Sequence, residues 1–185
     1  MSPQVKAAAD ARFVTWIAHL EDTGQLTGDT ATIAAYVPVG TEPGSVAMLD
    51  ALRRRGHRVL LPVVSPGLPA PLSWSDYDGP ESLATGRFGL LEPTGATLAS
   101  EAITTADLVL VPALAVDRTG VRLGRGAGYY DRTIAAVDTK RLVAVVYDDE
   151  VLDAIPADDL DVPMGWSLTP SGGFTALEQP DPGTR

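Results

Sequence analysis

The sequence predicts a single α/β domain with a mostly parallel central sheet. Unbroken apolar runs at residues 32–37 and 108–111 are typical of buried parallel strands. A helical pattern at residues 45–55 separates the first run from another strand-like segment at residues 58–62, which is the spacing of a right-handed crossover unit. The chain has 185 residues, 45% of them hydrophobic, which suffices for one full core.

An amphipathic helix is predicted at the N-terminus. Ser2 followed by Pro3 is a typical helix start, with serine as the cap and proline in the first turn. Apolar residues then recur at spacings of three and four, which predicts a face that packs on the core. They are Val5, Ala9, Phe13, Trp16, Ile17 and Leu20.

The next predicted elements alternate between strands and helices. Strand 32–37 is followed by helix 45–55, which Gly56 ends, and by strand 58–62. Alternating residues at 72–77 predict an edge strand.

The second half of the chain continues the same pattern. The unbroken run at 108–111 predicts a central strand, residues 129–137 can form a helix, and further strands are expected at 142–146 and 166–168. The domain is expected to end at residue 170. Residues 171–185 are rich in glycine, proline and charge, so we expect a disordered tail.

Composition excludes several classes of function. The net charge is −10 and the lysines are only Lys6 and Lys140, so a nucleic-acid-binding surface is not expected. No cysteine is present, which excludes disulfides, thiolate nucleophiles and thiolate metal ligands. No run of eighteen apolar residues and no signal-peptide pattern occurs. We therefore expect a cytoplasmic protein that does not bind membranes. A monomer is a separate expectation, since the sequence itself does not give the oligomeric state.

A glycine-rich segment at residues 122–132 (RLGRGAGYYDR) carries the strongest chemical signal. Gly124, Gly126 and Gly128 alternate with other residues, as expected where a backbone bends sharply or approaches a ligand closely. Backbone N–H groups before a helix and neighbouring arginines attract phosphate or carboxylate groups. The segment therefore predicts a site for a small anion. A tight turn between two core elements, with solvated arginines, is the alternative.

Other nucleotide and hydrolase motifs fit less well. No Walker P-loop sequence occurs, and the dinucleotide fingerprint normally follows its strand at once, whereas about a dozen residues separate Val111 from Gly124. His19 and His57 lie in a predicted helix and a helix-to-strand turn, which does not favour a serine–histidine–acid triad. An NAD-dependent oxidoreductase remains a distant alternative.

Four segments in order resemble the signature of 5-formyltetrahydrofolate cyclo-ligase (5,10-methenyltetrahydrofolate synthetase). They are residues 36–43 (YVPVGTEP), 86–93 (GRFGLLEP), 110–132 and 161–164 (DVPM). The resemblance implies a three-layer, Rossmann-like α/β fold. It also implies ATP- and magnesium-dependent cyclisation of 5-formyltetrahydrofolate to 5,10-methenyltetrahydrofolate, with release of ADP and phosphate. Phosphorylation of the formyl oxygen would make this chemistry possible without a protein nucleophile, which agrees with the absence of cysteine.

The resemblance also implies roles for individual residues. Magnesium would be held by Asp131 and Asp161, the folate pterin by Glu42 with Val37 nearby, and catalysis would involve Arg125 and Tyr129. The residues that contact ATP would be Arg122, Leu123, Gly124, Arg125, Gly126, Ala127, Gly128, Tyr129 and Tyr130. Those from Arg125 to Tyr129 would also contact the folate.

Each of three assignments has a structural alternative. On sequence grounds alone Val37 suits the core better than a ligand contact. Asp161 lies in an acid-rich stretch and is equally compatible with a solvated surface, while Asp131 could instead pair with Arg132 or Arg125.

Two positions depart from the family pattern. Members usually begin with a basic helix whose lysine and arginine, four residues apart, contact ATP. Here Lys6 is followed by Asp10, and the first helix corresponds to the family's next segment, so we expect weakened ATP binding with Arg12 or Arg87 as possible substitutes. Gly165 replaces a frequent acid. A folate- or nucleotide-binding paralogue with weak or no turnover therefore stays open as the alternative function.

Overall fold

A mostly parallel sheet forms the centre of the molecule in the computed structural model, which describes residues 1–26, 28, 30–64, 70–86, 89–158 and 160–178. The helices are α1 (Pro3–Ala18), α2 (Val46–Arg54) and α3 (Tyr129–Ile134). The strands in this part of the chain are β1 (Thr32–Ala34), β2 (Arg58–Val63), β3 (Ser73–Asp76), β4 (Leu83–Thr85), β5 (Leu91–Pro93), β6 (Leu108–Pro112), β7 (Ala115–Asp117), β8 (Arg122–Leu123), β9 (Leu142–Val145), β10 (Val151–Leu152), β11 (Trp166–Thr169) and β12 (Gly173–Ala176). Short 3-10 turns occur at Leu20–Thr23, Pro80–Ser82, Ser100–Thr105, Thr139–Arg141 and Asp148–Glu150.

The main sheet has the order β12-β11-β9-β6-β1-β2-β3. Strands β11, β9, β6, β1 and β2 run parallel, and antiparallel strands β12 and β3 form its two edges. Numbered by their appearance along the chain, the parallel strands have the order 2-1-3-4-5, which is a common doubly wound arrangement. From β1 the chain moves to β2 on one side, and it later returns to β6 on the other side of β1 and continues to β9 and β11. The direction of strand addition therefore reverses between β1 and β6. This switch point is where such sheets bind ligands, beyond the carboxyl ends of the strands.

Two separate cores cover the two faces of the sheet, as the period-two geometry of a strand requires. Along β6, Leu110 lies in the core under α1 and α2, whereas Val109 and Val111 lie in the core on the opposite face. In β1, Ile33 and Ala34 divide in the same way. The predicted three-layer α/β fold with a mostly parallel sheet is therefore confirmed.

Helix α1 has the predicted start and most of the predicted buried face. The Ser2 hydroxyl accepts a hydrogen bond from the Val5 N–H (3.3 Å), so serine caps the first turn. Phe13 and Ile17 are fully buried. Val5, however, is 57% exposed, so the buried stripe begins one turn later than predicted.

The C-terminal boundary and two loops differ from the predictions. Residues 171–178 are not a disordered tail, because β12 pairs along its length with β11; residues 179–185 lie outside the described residues. The segment after β6 contains the strand pair β7–β8, packed beside β10, and residues 83–93 include the hairpin β4–β5. These strands have two or three residues each, too few to show an alternating pattern.

Among the described residues, no helix combines the length and apolar composition needed to cross a bilayer.

Candidate active site

The switch point of the sheet opens into a cavity of about 380 Å³, which we call the apolar cavity. Strand β1 leads into residues 38–44, the Glu42 loop, and β6 leads into Ala113 and Leu114. Most of the lining is apolar and comes from several elements, including the carboxyl ends of β2 and β6 and the start of α3. The apolar lining residues are Pro62, Val64, Leu72, Leu90, Pro112, Ala113, Leu114, Tyr129 and Tyr130. The other lining residues are Glu42, Arg122, Gly124, Arg125, Gly126, Ala127, Gly128 and Asp131.

A glycine loop at residues 124–128 joins β8 to α3. Gly126 has a φ of +83°, and a Cβ placed there would meet no heavy atom within 4 Å, so this part of the loop borders open space. Gly128 has a φ of +68°, and its Cβ position lies 2.6 Å from Nη1 of Arg132. The Arg132 guanidinium also donates a hydrogen bond to the Ala127 carbonyl (3.0 Å). The loop therefore favours glycine at positions 126 and 128 for their left-handed backbone conformation.

Helix α3 is shorter than predicted. It ends at Ile134, so its six residues supply only a small helix dipole. The predicted anion site therefore depends on loop N–H groups and guanidiniums more than on a helix terminus.

The glycine loop also borders a second cavity of about 480 Å³, the acidic cavity. Arg122, Gly124, Gly126, Gly128 and Asp131 line both cavities. The acidic cavity is completed by Leu123, Arg132, Ala135, Ile155, Pro156, Asp158, Leu160 and Asp161. The loop and Asp131 thus form one shared wall between a largely apolar space and a space with three carboxylates.

Glu42 lies at the apolar cavity with its carboxylate bound on two sides. Oε2 accepts a hydrogen bond from the Val39 N–H (2.8 Å), which closes a turn within the Glu42 loop. Oε1 pairs with Nη2 of Arg125 at 2.9 Å. The Glu42 side chain is 15% exposed and that of Arg125 is 62% exposed, so the pair joins a largely buried anion to an exposed cation at the cavity.

Three side chains hold the Glu42 loop against the body of the protein. The Tyr36 hydroxyl donates to the Pro43 carbonyl (2.6 Å), and the Tyr147 hydroxyl donates to the Thr41 carbonyl (3.1 Å). Lys6 donates to the Glu42 carbonyl at 3.1 Å and also pairs with Asp10 at 3.0 Å. Lys6 of α1 is therefore engaged at this loop.

The phenols around the site are held in their neutral form. Burial raises the pKa of Tyr36 well above its ordinary value, and the nearby Glu42 adds to the rise. Burial also raises the pKa of Tyr130, although the Arg122 guanidinium partly opposes it, and raises the pKa of Tyr147 to about 12. These hydroxyls therefore remain hydrogen-bond donors at neutral pH.

Arg122 is a buried arginine, only 8% exposed, and it is the partner of Asp131. Its Nη2 donates to Oδ1 of Asp131 at 2.8 Å, and its guanidinium carbon lies 5.9 Å from the centroid of the Tyr130 ring. The alternative pairing of Asp131 with Arg132 or Arg125 is wrong, because its partner is Arg122, nine residues earlier in the chain. The buried Nε of Arg122 has no hydrogen-bond partner among the described residues.

Asp131 and Asp161 line the same acidic cavity, as expected if both bind one metal ion. Oδ2 of Asp161 accepts a hydrogen bond from the Asp158 N–H (2.7 Å), which closes a local turn. Among the described residues, no group of three or more histidine, aspartate or glutamate side chains is arranged to hold a metal ion by itself. Magnesium commonly uses only one or two protein carboxylates, with phosphates and waters as its other ligands. The two aspartates fit that requirement.

Val37 is the exception among the predicted site residues. It packs against the core under α1 and α2 and lines neither cavity, so its contact with a folate stays a prediction. Arg87, a possible substitute cation, lies outside the described residues. At Gly165, a Cβ would collide with the Thr139 backbone carbonyl, so this backbone excludes the acid often found there.

Sequence reasoning missed several lining residues. Leu72 has no local pattern that marks it as a site residue, and Leu90 lies in the resembling segment 86–93 but was given no role there. Leu114 is 45% exposed although it follows a central strand, and an apolar residue directly after such a strand was the available signal.

Comparisons with known proteins point to one family. Residues 6–170 match the model of the 5-formyltetrahydrofolate cyclo-ligase family. The chain is 52% identical over 166 residues to the 5-formyltetrahydrofolate cyclo-ligase of Mycolicibacterium smegmatis, covering 88% of this chain and 82% of that protein. It is 29% identical over 142 residues to the corresponding protein of Escherichia coli, covering 76% and 78% of the two chains.

Solved structures give the same result. The structure of 5,10-methenyltetrahydrofolate synthetase from Aquifex aeolicus superposes with a TM-score of 0.75 and 27% identity, covering 98% of this chain and 87% of that one. The synthetase from Mycoplasma pneumoniae shares the fold at a TM-score of 0.65 and 20% identity, with 89% and 86% covered.

Proposed function

Because the chain belongs to the 5-formyltetrahydrofolate cyclo-ligase family, we propose that it catalyses ATP- and magnesium-dependent cyclisation of 5-formyltetrahydrofolate to 5,10-methenyltetrahydrofolate. ADP and phosphate are the other products. One observation carries the proposal: the glycine loop and Asp131 form a shared wall between an apolar cavity and an acidic one. Such a wall can hold the folate on one side, ATP on the other, and bring their reacting atoms together.

The folate occupies the apolar cavity in this proposal. Its pterin ring carries amino and N–H donors, and a carboxylate is an acceptor for two such donors at once. Glu42 is a carboxylate at this cavity, and Tyr129 and Tyr130 also line it. The Glu42 loop is held by Tyr36, Tyr147 and Lys6, so the acceptor is in place before the ligand arrives.

The phosphates of ATP lie along the glycine loop, towards the acidic cavity. Loop N–H groups and guanidiniums bind phosphate oxygens, and Arg122 lines both cavities beside the loop. Asp131 and Asp161 would hold the magnesium ion, which neutralises phosphate charge when bound.

The reaction proceeds in two displacements. The formyl oxygen attacks the γ-phosphorus, forming an O–P bond while the bond from that phosphorus to the bridging oxygen breaks and ADP leaves. N10 of the folate then attacks the activated formyl carbon; a C–N bond forms, the C–O bond breaks, phosphate leaves and N10 loses its proton. The protein contributes alignment of the reactants and positive charge near the phosphoryl oxygens.

Arg125 changes partners during this cycle. When pterin donors take Oε1 of Glu42, Arg125 loses its counter-ion at 2.9 Å. A freed guanidinium on the glycine loop can then meet the transferring phosphoryl group. Arg125 is therefore the proposed catalytic cation, and Tyr129, the first residue of α3, is the second proposed catalytic residue at the same cavity.

Turnover of the purified protein tests the proposal directly. With 5-formyltetrahydrofolate, ATP and Mg²⁺, the near-ultraviolet absorbance of the methenyl product should appear, with one ADP and one phosphate per product. Controls without ATP or without divalent cation should give none. Folate binding without product at high enzyme concentration would contradict the proposal and favour a binding paralogue.

A further inference from the structure

Asp117 is a buried carboxylate, 2% exposed, that the proposed chemistry does not use. Its Oδ1 accepts three hydrogen bonds from the turn that follows β7: from the Thr119 N–H (2.9 Å), the Thr119 hydroxyl (2.8 Å) and the Val121 N–H (3.0 Å). Its Oδ2 accepts one bond from the Ile155 N–H (2.9 Å), 38 residues further along the chain. One side chain thus joins two distant segments.

Both segments lead directly to the shared site. Val121 precedes Arg122, the buried partner of Asp131, and the glycine loop follows. Ile155 begins the part of the acidic cavity wall that carries Asp161. Asp117 is therefore bonded to both of the chain segments that lead to the carboxylates proposed to hold the metal ion.

The wall segment, residues 155–158 and 160–164, is fastened near both ends to the turn at residues 117–121. At one end Ile155 binds Asp117, and at the other the Met164 N–H donates to the Gly120 carbonyl (2.8 Å). Gly120 has a φ of +90°, and the Met164 carbonyl occupies the position where its Cβ would be. The turn at residues 117–121 therefore holds the wall segment by hydrogen bonds near both of its ends.

We propose that Asp117 is a positioning residue for metal–ATP binding. By holding Ile155 and the turn to one carboxylate, it sets the separation of Asp131 and Asp161 across the acidic cavity. The inference rests on the proposed function, since it assumes that these two aspartates bind metal–ATP. Small displacements of groups that bind the reacting parts can cost about 100-fold in rate.

The chemistry of the side chain explains why a carboxylate is required. A carboxylate only accepts hydrogen bonds and has about four acceptor sites, which matches the four donors around Asp117. In Asp117→Asn, one oxygen becomes an NH₂ group that must face donors. The least costly orientation keeps the oxygen towards the turn and points NH₂ at the Ile155 N–H, which breaks the link to the wall segment.

The test compares Asp117→Asn with Thr119→Val in the full chain. The control removes a hydroxyl bond to the same carboxylate but keeps the Ile155 link. Binding of Mn²⁺ with ATP is followed by electron paramagnetic resonance, folate binding by calorimetry, and folding by thermal unfolding. We expect Asp117→Asn to weaken Mn²⁺–ATP binding at least tenfold and folate binding less than threefold, whereas Thr119→Val changes both less than threefold.

A second variant attacks the same bond from its other side. Ile155→Pro removes the donor and leaves the carboxylate and its turn intact, so it should reproduce the selective loss even if Asp117→Asn fails to fold. Excess Mg²⁺ should restore turnover in either variant. Equal loss of Mn²⁺–ATP and folate binding, or no loss of either, would overturn the positioning role. Wild-type protein that binds no Mn²⁺–ATP would overturn the proposed function itself.

Discussion

The Glu42→Gln substitution provides the sharpest test of the site, because it should weaken folate binding and slightly strengthen ATP binding. Glutamine keeps the size of the side chain but removes the charge that pairs with Arg125. A hydrogen bond to a charged group contributes about 1.5–3 kcal/mol. Loss of one such bond to the pterin should therefore weaken folate binding roughly 10- to 200-fold.

The effect on ATP should be small and of the opposite sign. Arg125 is 62% exposed, so its pair with Glu42 resembles a surface salt bridge, worth about 0.2–1 kcal/mol. Its release should strengthen ATP binding in the absence of folate by no more than about fivefold. Calorimetric titration of each ligand alone gives both numbers.

Glu150→Gln is a matched control for this substitution. Oε2 of Glu150 accepts the Tyr147 N–H at 2.8 Å, the same three-residue turn that Glu42 makes with Val39 at 2.8 Å. The control should leave both affinities within about threefold, because Glu150 lines neither cavity. Unchanged folate affinity in Glu42→Gln would remove Glu42 from the pterin site, and parallel loss of both ligands would refute the exchange of Arg125.

Three other substitutions test the loop, a metal carboxylate and a buried histidine. Gly126→Val should abolish ATP binding in calorimetry, since a side chain at φ +83° would project into open space at the cavities. The control Gly126→Ala has the same backbone strain, about 1–2 kcal/mol, without the bulk of the valine side chain. Wild-type ATP affinity in the valine variant would show that the loop is structural. Asp131→Asn should raise the Mg²⁺ concentration for half-maximal turnover and cut turnover at least tenfold, roughly 1.4 kcal/mol. The melting temperature of this variant should fall, because buried Arg122 loses its counter-charge. Unchanged Mg²⁺ dependence would exclude a metal role for Asp131. Burial, then the Arg55 charge, lower the pKa of His57 from 6.5, so the folded state binds fewer protons and stability should fall as pH drops below 6.5. Denaturant unfolding of His57→Asn should show a smaller fall than wild type, and an equal fall would assign the acid sensitivity to other groups.

The fold could be predicted wherever a pattern repeats over several residues. The apolar run of β6 and the helical spacing in α1 are examples, because burial on one face or both leaves a periodic record. The strands β7 and β8 leave none, since they have three and two residues and are defined by their pairing with each other. The edge strand β12 was missed because its composition resembles that of a loop, although Phe174 packs against the core.

The site could be predicted as a set of residues but not as a geometry. Glu42 lies beyond the carboxyl end of a strand, and the glycine loop has a distinctive composition, so the sequence predicts both as site residues. The structure places both at the apolar cavity. The partner of Asp131 was not, because the choice among neighbouring arginines depends on which one is buried, and only Arg122 is. The link from Asp117 to Ile155 joins residues 38 positions apart, and no local pattern encodes such a contact.

The shared wall between the two cavities has a thermodynamic consequence for ligand affinity. Five residues line both cavities. A ligand that orders the glycine loop from one cavity therefore reduces the conformational entropy that a ligand in the other cavity must remove. Such coupling is reciprocal: whatever factor a ligand in one cavity applies to the dissociation constant of a ligand in the other, the second ligand applies to that of the first. Cooperative binding of two ligands then requires no movement of the surrounding sheet, only a glycine loop whose residues line both cavities.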